Sequence, residues 1–256
     1  MTMITSDNVA AAFDEVAPRY DLMVGFNPGY HRHLRAAADA LVEWLPESAL
    51  ASGGPPIRIL DLGCGSGVST RAVQRAAQPA DLRFAVVGVD ASAGMIEQAR
   101  AKSWPVSVRF EVAQAEGIAS LRESWGLGGH IDGAFAAYLF RNVADRDAVL
   151  AGLFDLLAEG GVLVVQEYSI AGAGRWALAV WTVVCWVVII PLGWLTSRRT
   201  RLYRYLWRSV RSFDAIQTFV DRLYRAGFVD VEVATVSGWQ RGILHNFRAR
   251  KPAATS

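Results

Sequence analysis

"IRILDLGCGSGVS", residues 57–69, runs from a short apolar stretch into three glycines at alternate positions and then into residues that suit a helix. Ile57–Leu62 has the length of one buried strand. Gly63, Gly65 and Gly67 allow the backbone to turn sharply and to approach a ligand closely, and a helix starting beyond them offers unpaired N–H groups at the same place. The spacing is not that of the dinucleotide fingerprint G-x-G-x-x-G, whose third glycine falls three positions after the second. What is predicted is a strand–loop–helix unit that holds a ligand over the end of a parallel strand.

Outward from this unit the alternation of strand and helix repeats. "RFAVVGVD" (83–90) is a second strand ending in an acid, "VSVRFEVAQA" (106–115) a third, "IDGAFAAYL" (131–139) a fourth and "GVLVVQEYS" (161–169) a fifth. Helical patterns separate them, the last being "RDAVLAGLFDLLAEGG" (146–161), whose end Gly160–Gly161 marks. This alternation predicts a parallel sheet with crossover helices. Upstream, Asp14–Glu43 reads as helix, turn, helix, broken at "FNPGY" (26–30). Downstream, a helix over Phe213–Ala226 precedes "GFVDVEVATVS" (227–237) and "GILHNFRARK" (242–251), whose closeness predicts an antiparallel pair at the end of the sheet. Four parts follow: a helical lid over 1–50, an α/β core over 51–170 that begins at the linker "ASGGPP", an apolar and basic helical insertion over 171–212, and the closing helix and strand pair over 213–256.

With 256 residues, 52% hydrophobic and 20% charged, the chain can bury the core of one large α/β domain. Its 26 basic and 24 acidic residues leave a formal net charge of +2, so no global field favours nucleic acid. Cys64 sits in the glycine loop and Cys185 in an apolar run, neither with a Cys or His at ligand spacing, so neither a disulfide framework nor a metal site is expected. No charged segment leads into an apolar one at the N-terminus, so no secretory signal is expected.

The glycine spacing, the acid two residues before it and "VVGVDASAGMIEQA" (86–99) together resemble the class I S-adenosylmethionine (SAM) methyltransferases. That resemblance implies a Rossmann-like, mostly parallel sheet with helices on both faces, to which the strand pattern adds the antiparallel C-terminal pair and the uncharged run an apolar helical insertion after strand five. It also implies SAM as cofactor, with Asp90 accepting hydrogen bonds from both ribose hydroxyls. SAM carries no phosphate and has a cationic amine, so Asp61 beside the glycines is favourable, whereas next to a pyrophosphate it would weaken binding.

Four further stretches resemble the ubiquinone/menaquinone biosynthesis C-methyltransferases: "FDEVAPRYDLM…GYHRHLRAA", "YLFRNVADRDAVL", "EGGVLVVQEYS" and "GILHNFRARK", together spanning Phe13 to Lys251. This family methylates a ring carbon of a polyprenylated benzoquinol or naphthoquinol. The resemblance implies SAM contacts from Tyr20, Asp61, Gly63, Gly65, Ser66, Gly67, Asp90, Ala91, Gln114 and Ala115, with Tyr20 and Asp21 in an N-terminal lid. The chain departs from the family pattern at Gln114–Ala115, where Asn-Ala or Asp-Ala is usual, and at Ala137, Leu139 and Val24.

A quinol carbon becomes nucleophilic when the neighbouring hydroxyl ionises. Arg141, in the family's Arg-Asn motif, is therefore expected to stabilise the oxyanion electrostatically, since an arginine stays protonated. Asn142 is expected to orient a water that carries the proton away, and His31 and His245 are candidate proton acceptors. The plainer reading of Arg141 is a loop residue paired with Asp145 or Asp147. The rival functions are SAM-dependent O-methylation of another hydrophobic small molecule and a non-catalytic SAM-binding scaffold.

The last feature is "WALAVWTVVCWVVIIPLGWL", Trp176–Leu195, twenty residues without a charge. As a helix it would reach about 30 Å, the thickness of a bilayer's hydrocarbon core. One crossing would separate strand five from the last two strands of the same sheet, and Pro191 and Gly193 should interrupt the helix near its end. Arg175 on one flank and Arg198, Arg199 and Arg201 on the other provide no asymmetry to orient a span. The run is therefore expected to wall the acceptor pocket and dip into a membrane interface, with the arginines of Ser197–Arg211 meeting anionic headgroups; a homodimer through the same surface is the competing explanation. The expected location is the cytoplasm, peripheral at the cytoplasmic membrane face.

Overall fold

The computed structural model of the chain describes residues 8–50, 54–78, 83–121, 130–198 and 200–253. Arg199 and the first half of the "ASGGPP" linker lie outside the described residues. The N-terminal segment forms α1 (Val9–Asp14), α2 (Ala17–Gly25), α3 (Tyr30–Trp44) and the short α4 (Glu47–Leu50). Pro18 sits in the first turn of α2, where its missing N–H costs nothing, and Gly29 opens α3 at φ 90°.

The core follows as β1 (Ile57–Leu62), α5 (Val68–Ala77), β2 (Phe84–Asp90), α6 (Ala93–Arg100), β3 (Val108–Val112), β4 (Ile131–Ala137), α7 (Arg146–Leu156) and β5 (Leu157–Tyr168). Then come α8 (Gly174–Val184), a π-helical turn (Cys185–Ile189), α9 (Ile190–Ser197), α10 (Arg201–Ser212), α11 (Ile216–Arg225), β6 (Val229–Thr235) and β7 (Leu244–Arg250). The strands form one seven-stranded sheet in the order β3-β2-β1-β4-β5-β7-β6. The first five are parallel, and β7 runs antiparallel between β5 and β6. The direction of strand succession reverses between β1 and β4, which leaves a crevice over their carboxyl ends.

Alternate residues of β1, β2, β4 and β5 feed two cores. Ile57, Ile59, Val86, Phe135 and Val164 face Leu34 and Leu41 of α3 and Val73 of α5. Leu60, Leu62, Val87, Ala134 and Leu163 face Leu153 of α7 and Phe219 and Leu223 of α11. Buried on both sides, these strands read as near-continuous apolar runs.

Two boundaries differ from the sequence reading. Helix α7 stops at Leu156 rather than running to the glycines, because Lys251 Nζ donates to the carbonyls of Phe154 and Leu157, both at 2.8 Å, and takes the last turn's acceptors. Helix α11 begins at Ile216, leaving Phe213 extended and fully packed in the second core. The apolar run differs more. It is one continuous helical rod from Gly174 to Ser197, not a helix broken at Pro191. Proline cannot donate to the i−4 carbonyl and collides with it, and the π turn immediately before Pro191 widens the helix there. Gly193 serves packing: a Cβ there would meet the Tyr203 ring of α10 at 2.1 Å.

Among the described residues, Gly174–Leu195 is the one helix long and apolar enough to cross a membrane, yet only 22% of its apolar window is buried. Ala177, Trp181 and Cys185 form its buried stripe, one helical turn apart, while Trp176 and Val187 on the outer face are 80% and 68% exposed.

Candidate active site

The glycine loop folds as its sequence requires. Gly63, Gly65 and Gly67 all have positive φ (74°, 53° and 85°), conformations that any side chain would strain. A Cβ on Gly65 would meet nothing within 4 Å, whereas one on Gly67 would strike Trp104 at 2.8 Å. Gly63, Gly65 and Ser66 therefore line the crevice, and Gly67 instead turns away to begin α5. Beside them, Asp90 at the end of β2 accepts the Gly65 N–H at 2.9 Å and the Ser92 N–H at 2.8 Å. Ser92, not Asp90, caps α6 by accepting from Met95 N. Asp90 thus keeps lone pairs for a ligand. Burial raises its pKa, and the two N–H donors oppose that rise. Ala91, Gln114 and Ala115 complete the same rim, together with Glu116.

Asp61 lies one layer deeper. It is fully buried behind the crevice rather than on its lining; Oδ2 accepts from Ser69 Oγ at 2.7 Å and Thr70 Oγ1 at 2.5 Å, which ties β1 to the first turn of α5. Its Oδ1 is buried without a partner, and burial pushes the carboxyl up to about 7. An unfilled acceptor under a glycine loop fits a ligand with a cationic end.

The lid is fastened to this half by acids the sequence reading passed over or left general. Asp14 of α1 accepts from Ser92 Oγ at 2.5 Å and from Gly94 N at 2.8 Å, at the start of α6. Asp21 of α2 accepts from the Ser66 hydroxyl and pairs with Lys102 Nζ at 2.5 Å, while Lys102 also donates to the Ser66 carbonyl. Helix α2 is thereby laid across the loop, and Tyr20 hangs into the crevice, its pKa raised to about 12 by burial.

A second cavity of about 300 Å³ adjoins the first. Its walls come from α2, the π turn and α9, through Met23, Val24, Val188, Ile189 and Leu192 among others. Tyr20, Tyr30, Tyr138 and Arg141 line both cavities and so mark where they meet. Tyr138 holds φ 60°, a strained value for a non-glycine residue, and stacks on Tyr30 at 5.5 Å.

At that junction Arg141 pairs with neither Asp145 nor Asp147. Asp145 caps α7 and Asp147 binds Arg222. The partner is Glu167, fully buried in β5, whose Oε1 accepts from Arg141 Nη1 at 2.7 Å and from Tyr168 N at 2.9 Å. Burial alone would lower the arginine's pKa, but Glu167 raises it, so the guanidinium is held charged. Arg141 Nε and Asn142 Oδ1 are both buried without a partner. Asn142 Nδ2 donates to the Tyr138 carbonyl at 3.2 Å. Glu167 lies inside the stretch "EGGVLVVQEYS" that carries the family resemblance, but nothing local in the sequence assigns that acid a role.

The two histidines are not brought to the junction. His31 is exposed and lies in a separate shallow groove with Arg71 and Arg75. His245 pairs with Glu167 in the sheet register but lines neither cavity, and burial lowers its pKa. Among the described residues, no group of three His, Cys, Asp or Glu side chains is placed to hold a metal.

Residues 1–248 match the ubiE/COQ5 methyltransferase family. A demethylmenaquinone methyltransferase of Thermus thermophilus is 34% identical over 217 residues, covering 84% of this chain and 90% of the relative. A ubiquinone/menaquinone biosynthesis C-methyltransferase of Syntrophotalea carbinolica is 34% identical over 239 residues, covering 88% of each chain. Among solved structures, a plantazolicin methyltransferase in complex with a triazolic analogue and S-adenosylhomocysteine aligns with a TM-score of 0.61 at 12% identity, covering 96% of this chain and 98% of the other. A [4+2]-cyclase aligns at 0.60 and 18%, covering 99% and 98%. These last two share the fold, and a methyltransferase and a cyclase on one fold show that the fold alone does not set the reaction.

Proposed function

Because the chain belongs to the ubiE/COQ5 methyltransferase family and is a SAM-dependent methyltransferase, we propose that it C-methylates a lipophilic, quinol-type aromatic ring. The observation that carries this reading is the junction: a charged, buried arginine lies where a polar, glycine-lined crevice meets an apolar cavity. When bound, SAM supplies an electrophilic methyl group on a sulfonium sulfur. The crevice residues would hold it, with Asp90 on the ribose, Gln114 and Ala115 beside the adenine and the glycine loop near the amino acid end, above the buried Asp61. The acceptor ring lies against Tyr138, with one oxygen toward Arg141. The guanidinium favours the ionised oxygen, which pushes electron density onto the adjacent carbon. Glu167 fixes the guanidinium plane, and Asn142 Oδ1, buried without a partner, would accept a hydrogen bond from the water that takes up the ring proton. Burial of the junction strengthens these interactions and excludes bulk water.

The test is incubation with SAM and a short-prenyl 1,4-naphthoquinol kept reduced, followed by mass spectrometry and NMR of the product. A methyl group on ring carbon is expected. A methyl ether would make the protein an O-methyltransferase, and no product with intact SAM binding would favour a scaffold.

The same reading sets the outer face of α8–α9 in a membrane interface, with the body of the protein on the cytoplasmic side. Trp176, Val183, Val187 and Leu195 are each more than half exposed there. Arg204, Arg208 and Arg211 project from one exposed face of α10, and Arg198 and Arg211 lie over the rings of Trp194 and Trp207 at 4.7 and 4.5 Å. β5 and β7 pair in one sheet on either side of this rod in the chain, which argues for lying along the surface rather than crossing it. Carbonate or high salt should release the protein from membranes, with both flanks of the rod cut by protease from the same side. Release as a stable dimer with no affinity for vesicles would assign the face to a second copy instead.

A further inference from the structure

Beneath the apolar cavity runs a buried polar chain that the reaction as described does not use. The Arg32 guanidinium lies 3.5 Å from His33 Nε2, and His33 Nδ1 lies 2.9 Å from Gln240 Oε1. Gln240 Nε2 lies 2.9 Å from the Tyr168 hydroxyl. His33, Gln240 and Tyr168 are each less than a tenth exposed. The direction of the inner bonds is fixed by the Gln240 amide oxygen, which only accepts. His33 Nδ1–H therefore donates to Gln240 Oε1, and the Gln240 Nε2–H donates to Tyr168 Oη. The tyrosine's own hydrogen is left to point onward.

What lies onward is Asn27, whose side chain also bonds to the Tyr168 hydroxyl and whose Oδ1 is buried without a partner. If the amide donates to Tyr168, both Oδ1 and the phenol hydrogen lack partners. If the amide is turned round, the phenol hydrogen is satisfied and the amide N–H groups are not. Either way the pair keeps an unfilled hydrogen-bonding position. Both residues line the apolar cavity together with Tyr20, Tyr30, Tyr138 and Arg141, whose guanidinium lies over the Tyr168 ring at 5.8 Å; the Tyr138 hydroxyl, buried without a partner, faces the same junction as Arg141. An unpaired polar group in such a place costs free energy until a ligand fills it.

We propose that Tyr168 and Asn27 bind a second oxygen on the acceptor ring, distinct from the one addressed by Arg141, and that Gln240 and His33 are positioning residues that aim the Tyr168 hydroxyl. The assignment rests on the quinol reading and deepens it: the protein selects rings carrying two oxygens rather than one. A monophenol of the same shape leaves the Tyr168–Asn27 position unfilled and is a poorer substrate.

The experiment pairs two enzymes with two substrates. The substrates are a short-prenyl 1,4-naphthoquinol and its analogue lacking the hydroxyl farther from the methylated carbon. Tyr168→Phe should lower kcat/KM for the quinol about tenfold, the worth of one such bond, and leave the analogue within twofold of wild type. Gln240→Leu should act in the same direction, more weakly, and SAM affinity and thermal stability report whether each variant is folded. Equal activity of Tyr168→Phe and wild type on the quinol, or equal losses on both substrates, would overturn the assignment. If wild type methylates neither ring, the quinol reading falls first and takes this assignment with it. Wild type active on both, with no difference between the enzymes, removes this assignment alone.

Discussion

On the β1–β2 side of the cleft a ligand meets mainly backbone and one acid at a strand end; on the α8–α9 side it meets side chains drawn from α2, α3, β5, the π turn and the segment before β7. The first wall is built within thirty residues of consecutive chain, from Leu62 to Ala91. The second is assembled from pieces spread from Tyr20 to Trp239. A wall made of backbone tolerates little change in sequence, because three glycines with positive φ admit no substitute without strain. A wall made of side chains can be altered one residue at a time. The same fold can thus keep its methyl donor and exchange its acceptor.

The sharpest way to break that division is at the junction. Removing one member of a buried ion pair leaves the other charge uncompensated, so Glu167→Ala is expected to destabilise the protein by about 3–5 kcal/mol in denaturant unfolding. Arg141→Ala should lower kcat by roughly 10²–10³-fold while SAM affinity stays within twofold by calorimetry. Asp90→Ala should do the converse, weakening SAM binding by about 1.5–3 kcal/mol while kcat at saturating SAM is largely retained. If either variant moved both quantities equally, the two walls would not be separable.

A smaller effect concerns Asp61, whose folded pKa of about 7 lies above its ordinary value of 3.8. Below about pH 4 both folded and unfolded chains are protonated there and the shift contributes nothing. As pH rises toward 7 the unfolded chain releases the proton while the folded one keeps it, so stability declines across that window and levels off above it. Asp61→Asn should flatten this decline, leaving the variant relatively more stable at pH 8 by about 2–4 kcal/mol. Parallel melting curves of wild type and variant from pH 4 to 8 would contradict the burial argument.

The two walls also differ in how well they can be read from sequence. β1, its glycine loop and Asp90 announce themselves through local period and spacing, and eight of the ten expected cofactor contacts line the crevice: all but Asp61 and Gly67. Arg141 and Asn142 were legible through the Arg-Asn motif. Glu167, Asn27 and Gln240 were not, since each is a single polar residue whose meaning depends on a partner far away in the chain. His33 was hidden behind His31, two residues earlier, because nothing local says which face of α3 turns inward. Pro191 misled for a related reason: the rule that proline breaks a helix holds for a regular α-helix, and here the preceding turn widens to admit it.

Helix α2 contributes Tyr20 to both cavities and Met23 and Val24 to the acceptor cavity, and through Asp21 it is tied to Ser66 of the glycine loop. One element is therefore roof to the donor and wall to the acceptor, and this has a consequence for the order of events in turnover. An acceptor seated against α2 holds the roof shut, so the donor must enter before it and the demethylated cofactor must leave after the methylated ring. Steady-state kinetics should show a compulsory order, with S-adenosylhomocysteine competitive against SAM and the methylated ring competitive against neither substrate. Asp21→Ala, by loosening the roof, should shift this pattern toward random order.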